Sequence, residues 1–251
     1  MKNLLVTILF VLITTFSFGQ KKAGCTGYQD HRNIIKTNIT SLAFRNYEIQ
    51  YERVLSKKLS INLNYGFIPE GTIPMLDTFE PFIDDPDAMD VLNKVQMKQM
   101  NAIAELRFYL GKGYGKGFYL APFYDYSKYT INGFDIEYED DTMTTQSLTT
   151  DGSINGNTFG LLIGTQFNLG KSFVLDWWII GPHYGFGKGD IVGDSSRPLS
   201  ETEQQAIRDE INNLDIPMVR YESTVTSEGV ELKLDGPWAG IRAGLSLGFR
   251  F

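Results

Sequence analysis

One cysteine, Cys25, stands in 251 residues, so no intrachain disulfide can staple this chain. Histidine is almost as scarce, with His31 and His183 alone. Sites that need clustered Cys and His ligands are therefore excluded, and no Walker, Rossmann, CxxC or HExxH pattern is present. Long apolar runs are missing as well. After the segment Leu4–Phe16, nothing approaches the roughly 20 apolar residues of a spanning helix. A mean hydropathy of −0.17 excludes a multispan helical membrane protein but not a β-barrel, whose strands are half polar. That one apolar run follows Lys2 and precedes Ser17-Phe18-Gly19, the pattern of an export signal cut after about Gly19. Residues 1–19 are thus expected to be a signal peptide and 20–32 a short periplasmic leader. Lys22 stands where a lipoprotein site before Cys25 needs an apolar residue, which argues against lipid attachment.

Aromatic residues are plentiful, at 13%, and glycine occurs 25 times. Most of the mature chain alternates. Ile241, Ala243, Leu245, Leu247, Phe249 and Phe251 are apolar, while Arg242, Gly244, Ser246, Gly248 and Arg250 between them are small or polar. A period of two places the two sets on opposite faces of a β-strand. The same pattern runs through Ile35, Thr37, Ile39 and Ala43, then Tyr47 to Leu55, Leu59 to Phe67 and Met100 to Leu110. It returns in Phe118 to Thr130, where Pro122 interrupts and Phe123 breaks the polarity, and in Phe159 to Leu169. In Phe173 to Ile179, Asp176 shares the other face with Trp178 and Ile180. These are strand signals. An exposed final edge with two Phe invites aggregation, whereas a closed barrel has no edge and turns its apolar face to lipid.

The connections alternate too. Short turns at 56–58, 111–117 and 170–172 separate long segments at 69–97, 134–155 and 188–235. Outer-membrane barrels show this asymmetry of tight periplasmic turns and long outer loops. With a first outer turn at Arg45-Asn46, the expected fold is an all-β, eight-stranded antiparallel up-and-down transmembrane β-barrel over 33–251. It carries three long outer loops with short helices in them. Asp85-Pro86 opens one helix over 86–95, and the capping box Ser200-x-x-Glu203 opens another ended by Pro217. The apolar positions of 218–235 read as a strand extension above the membrane, with ten strands as the alternative. The three long segments hold 24 of the 30 acidic residues and only 6 of the 23 basic ones. An acidic outer face would repel nucleic acid.

If the odd-numbered residues of the last strand face lipid, the lumen receives Lys36, Glu48, Glu52, Glu105, Arg107, Asp176 and Arg242. Eight strands leave just enough room for side chains to fill the interior, so these charges are expected to pair as a closed network. A narrow channel or a small-ligand-binding barrel is the alternative. A lipid-modifying outer-membrane enzyme using His183 is a further, less favoured alternative; His183 has no serine two residues away, and a His among Tyr and Trp at a membrane interface is more often an anchor, so no catalytic residue is expected. The clusters Asp84, Asp85, Asp87, Asp90 and Glu137, Glu139, Asp140, Asp141 lack EF-hand spacing, so no metal and no cofactor is expected.

Lys36-Thr37-Asn38, Tyr51-Glu52-Arg53 and Gly181-Pro182-His183-Tyr184-Gly185 resemble an uncharacterised family of small Gram-negative outer-membrane β-barrel proteins. The resemblance spans the mature chain, implies outer-membrane location, and carries no catalytic residues over. Leu247, Phe249 and Phe251 resemble the C-terminal signal read by the barrel-assembly machinery, with Ser246 where that signal usually has Gly. The expected surroundings are outer-membrane lipid and lipopolysaccharide, with a structural or surface-interaction role and an unnamed surface protein as a further partner.

Overall fold

The structure is a computed structural model that describes residues 31–251 apart from 75, 77–88, 90–92, 112, 141–143 and 213–219. The expected signal peptide, most of the leader, Cys25, Asp84, Asp85, Asp87, Asp90, Asp141 and most of the helix expected over 86–95 lie outside the described residues.

Nine strands and one α-helix are described: β1 Asn33–Asn38, β2 Tyr47–Val54, β3 Leu59–Gly71, β4 Gln96–Tyr109, β5 Gly117–Glu139, β6 Thr145–Leu169, β7 Phe173–Asp194, α1 Glu201–Asn212, β8 Arg220–Thr226 and β9 Gly229–Arg250. Each strand pairs antiparallel with its neighbour in the order β1 to β7, then β9, and β9 closes on β1. Eight strands make the ring. β8 is a seven-residue strand on β9, paired from Gly229 to Asp235, while β1 takes the lower end of the same edge from Ser246 to Arg250. The ring therefore has eight strands and not ten.

Alternation decides what the ring contains. In β2, Gln50, Glu52 and Val54 are buried, while Tyr47, Ile49 and Tyr51 are exposed. In β3, Ser60, Asn62 and Asn64 point in, and Ile61, Leu63, Tyr65 and Phe67 point out. The barrel is inside-out relative to a soluble one, with polar groups in its centre and apolar groups around it.

Four local expectations need correction. First, β1 ends at Asn38, and Ser41–Phe44 form a 3₁₀ turn closed by Arg45 at φ 55°; the alternation through Ile39 and Ala43 is not strand. Second, β5 runs unbroken through Pro122, whose ring points outward, and Phe123 is buried in the lumen as its parity requires. Third, Ile180 does not share a face with Asp176 and Trp178. The pairing of β7 shifts between Trp178 and Gly181 against β9, and between Ile163 and Gly164 against β6. One extra residue forms a β-bulge that turns both Ile179 and Ile180 outward.

The fourth correction is the largest. The segments 134–155 and 188–235 are mostly not loops. β5 and β6 continue as a paired hairpin to Glu139 and Thr145, and β7 and β9 to Asp194 and Gly229. β3 and β4 stop their mutual pairing at Gly71 and Met97, so one side of the wall rises well beyond the other. α1 leans on the lumen-side face of this extension, touching β5 and β8. Ile207 and Ile211 of the helix bury against Ile136, Leu148, Leu199, Val225, Val230 and Leu232. Val230 and Leu232 share the face of β9 that carries Arg242 and Ser246 lower down. This end of the barrel is thus a small folded cap with its own core.

The capping box forms. Glu203 N–H donates to Ser200 Oγ at 3.2 Å, and Ser200 N–H donates to Glu203 Oε2 at 2.9 Å. Arg197 adds two guanidinium hydrogen bonds to the same carboxylate, one of them at 2.9 Å. Arg197 first, then the Ser200 backbone N–H, holds the Glu203 carboxyl below its ordinary range. A carboxyl lowered on folding contributes stability above its unfolded pKa, about 4.3, and loses it as pH falls through the folded value. The protection of the α1 amides, taken as the ratio of intrinsic to observed exchange rate at each pH, is therefore expected to be high at neutral pH and to fall below about pH 4. In Glu203→Gln the pH step should vanish; an unchanged step would assign it elsewhere.

Candidate functional site in the barrel lumen

Two layers fill the lower part of the lumen. At the lower end the β4–β5 turn tucks inward. Tyr114 packs against Ile34, Val54 and Val174, and Arg250 donates to Tyr114 O at 2.9 Å and Gly115 O at 2.8 Å. Gln166 Nε2 adds a bond to Gly115 O at 2.8 Å. Gly115 has φ +53°, and a Cβ there would press on Val54 at 2.8 Å, so this turn requires glycine.

Above it lies the charged layer. Lys36 Nζ reaches Glu52 at 2.6 Å, Asp176 at 2.7 Å and Gln166 Oε1 at 3.1 Å. Arg107 reaches Glu105 and Asp176 at 2.6 Å each, and Glu52 at 3.3 Å. Arg242 Nη2 reaches Glu105 at 3.0 Å, its guanidinium 4.6 Å from both the Phe123 and Trp178 ring centroids. Tyr109 and Ser60 hydroxyls donate to Glu52 Oε1 at 2.7 and 2.6 Å, and Tyr119 donates to Asp176 Oδ1 at 2.7 Å. Three cations meet three carboxylates, so the layer is neutral. The strands β1, β2, β4, β7 and β9 each contribute, so the network crosses the lumen from wall to wall. Buried charges persist only when paired and hydrogen-bonded, and these are both.

Of the seven charges placed in the lumen from sequence, the structure joins six in this network. Glu48 is not one of them. It sits half-buried above, accepting from Asn46 Nδ2 at 3.1 Å and Asn64 Nδ2 at 3.0 Å, in none of the ion pairs among the described residues. Leu247, Phe249 and Phe251 all point outward at the lower rim, with Phe249 against Phe173 at 5.8 Å.

The structure also brings in residues that were passed over: Tyr109, Tyr119, Gln166, Trp178, Asp125 and Arg250. Arg250 has the parity of Arg242, eight positions on, which was a usable signal. Asp125 was hidden because Phe123 made β5 look irregular.

His183 also faces inward. Its Nδ1 lies 2.9 Å from Thr158 Oγ1, and its ring is 6.0 Å from Phe123. Thr158 is wholly buried, so its hydroxyl is a hydrogen-bond partner out of a substrate's reach. Among the described residues no three of His, Cys, Asp and Glu converge as a metal-binding group.

Residues 5–187 match the family described as "Protein of unknown function (DUF3575)". The chain belongs to that family. For DUF3575 the matched span takes in β1 to β6 and most of β7, including Lys36, Glu52, Glu105, Arg107 and Asp176, and stops before α1, β8 and β9. Among curated proteins none matches. The DUF3575 chain is also similar to a solved structure titled as a major outer membrane protein from Thermus thermophilus. Identity is 14% over 88% of this chain and 98% of that one, with a TM-score of 0.34, too loose an overlap to argue from.

Proposed function

We propose that this chain is an integral outer-membrane β-barrel protein with a closed lumen, exported and inserted by the barrel-assembly machinery. It presents a folded, acidic cap at the cell surface, and its role is structural or one of surface interaction, with no catalysis. The observation that carries this reading is the inversion of polarity. Six paired charges fill the centre, while Ile61, Leu63, Leu106, Leu161, Ile163, Trp177 and Leu247 face outward without cover. Only a hydrocarbon solvent makes that arrangement favourable on both faces.

The edges of the apolar zone support a bilayer. In β3 the outward apolar residues run from Ile61 to Phe67 and in β4 from Ala102 to Phe108, with Leu110 just past its end, against about 9–11 residues for a spanning strand. Tyr124, Phe159 and Tyr184 are direct cross-strand neighbours on the upper outer face; Phe173, Phe249 and Phe251 mark the lower rim. Aromatic girdles at both interfaces are the mark of such barrels.

A neutral cross-lumen network above a turn held by Arg250 leaves no support for a channel. In planar bilayers the purified chain is expected to give no stepwise conductance, while Arg107→Gly/Arg250→Gly should give brief openings. Steady conductance from the wild type would overturn the closed-lumen reading. Partition into the outer-membrane fraction with heat-modifiable gel mobility tests the location separately.

A further inference from the structure

The outward-facing residues of β5, β6 and β7 line up in rows across the wall, because each strand pairs with the next in register. Tyr124, Phe159 and Tyr184 make one row, and Tyr126, Asn157 and Phe186 make the row above it. The next row up is Lys128, Asn155 and Lys188. On β4, Lys98 faces outward opposite Thr130, diagonal to Lys128, and adds a third cation. Higher still the charge reverses, with Asp151, Asp190 and Glu231 at outward positions of the extension. The basic row therefore stands at the step between the apolar belt and the acidic wall.

The donors of this row are not committed elsewhere. Neither Lys98 nor Lys128 joins an ion pair among the described residues. Lys188 lies 3.8 Å from Asp235, a long contact between two exposed side chains that is worth little. Tyr126 donates to Asn155 Oδ1 at 3.1 Å, which leaves the Asn155 Nδ2 amide as the donor beside the two ammonium groups. From β4 to β7 no carboxylate stands in this row or in the two aromatic rows below it. Lys128 and Lys188 flank Asn155 at two strand spacings, about 10 Å from backbone to backbone. Their flexible stems let both heads turn onto one anion above the amide.

Given the outer-membrane placement proposed above, on which this site rests, we infer that Lys128, Asn155 and Lys188 bind the headgroup phosphate of an outer-leaflet lipid of the lipopolysaccharide type. Its acyl chains lie against the Tyr and Phe rows beneath. A phosphate dianion offers acceptors alone, and this row offers it donors alone. The direction of approach selects the lipid. An anion arriving from solution meets the carboxylates of the extension first and is repelled. A lipid arrives sideways in the plane of the membrane, with its headgroup at the level where Tyr and other aromatic side chains mark the interface.

Native mass spectrometry of the purified full chain in neutral detergent, titrated with diphosphoryl lipid A, tests the site. The wild type is expected to bind it, and Lys128→Gln/Lys188→Gln to weaken binding about tenfold or more. Asn155→Asp, which sets a carboxylate between the lysines, is expected to weaken it as well, and decides the matter should the double variant fail to show heat-modifiable mobility. Dephosphorylated lipid A is expected to bind wild type and variants alike, and inorganic phosphate in excess to leave the lipid complex intact. Equal affinity for the two forms of lipid A, or equal binding by the wild type and the folded variants, would overturn the proposal. Displacement by inorganic phosphate would make the row a site for a free anion and overturn the lipid assignment. Insertion into phosphatidylcholine vesicles separates the two levels of failure. A wild type that does not insert removes the membrane placement and this site with it, whereas one that inserts and ignores the lipid phosphate removes this site alone.

Discussion

Replacing Arg107 by alanine is expected to lower the unfolding free energy by about 3–5 kcal/mol. Arg107 is wholly buried and touches all three carboxylates of the charged layer, with its guanidinium 4.7 Å from the Tyr119 ring centroid. Without it, two cations face three carboxylates in a space closed to bulk solvent. Asp176 keeps Lys36 and Glu105 keeps Arg242, but Glu105 loses both bonds that Arg107 makes to its Oε2. The cost is that of an uncompensated buried charge, and it therefore has a remedy. Arg107→Met combined with Glu105→Gln, which removes one charge of each sign, is expected to recover a good part of the loss, because a buried pair is worth little against an apolar replacement. Urea unfolding in micelles, read by gel mobility and tryptophan fluorescence, measures both. A loss below about 1 kcal/mol for Arg107→Ala is the value of an exposed pair and would contradict the geometry of this layer.

The same layer shows how much of the molecule was legible in the sequence. β2, β3 and β4 were readable because each has one mostly apolar and one mostly polar face, and six of the seven inward charges named from parity do meet. Which of them meet was not readable. Lys36 and Asp176 are 140 residues apart, and their contact depends on the stagger of every strand between them. Parity gives the face of a residue, and only the closed register gives its height; Glu48 has the right face and the wrong height for the network. The bulge at Ile179 was invisible for a different reason. Trp177, Trp178, Ile179 and Ile180 are all apolar, so a slip of one residue leaves the pattern unchanged. The cap was missed where the outer face of the sheet changes solvent. Along 145–151 the outward positions Thr145, Ser147, Thr149 and Asp151 are polar, and of the inward ones Leu148 is the one apolar residue. With water on one side and a single helix on the other, the alternation that betrays a membrane strand fades.

Leu63→Arg is expected to destabilise the protein in a bilayer by about 2–4 kcal/mol, whereas Val192→Arg is expected to cost about 1 kcal/mol or less. The two residues are equally uncovered, at 52% and 46% exposure, and both point away from the lumen. They differ in height. Leu63 is midway along the outward row Ile61 to Phe67 of β3, flanked by Tyr51 on β2 and Ala104 on β4. Val192 lies on the extension of β7, beside Asp151 and Glu231, well past the aromatic row of Tyr124, Phe159 and Tyr184. If water surrounds the whole barrel, the two substitutions should be alike, since a charge on an exposed surface position changes stability by only about 0.5 kcal/mol. If hydrocarbon surrounds the belt, Arg at position 63 must either reach for the interface or carry its charge into lipid, and Arg at position 192 meets water. Reversible unfolding in lipid vesicles separates these cases. Equal, small effects would remove the membrane placement while leaving the barrel and its charged layer intact; a difference of the expected size is one that burial in protein cannot produce, because neither side chain is buried.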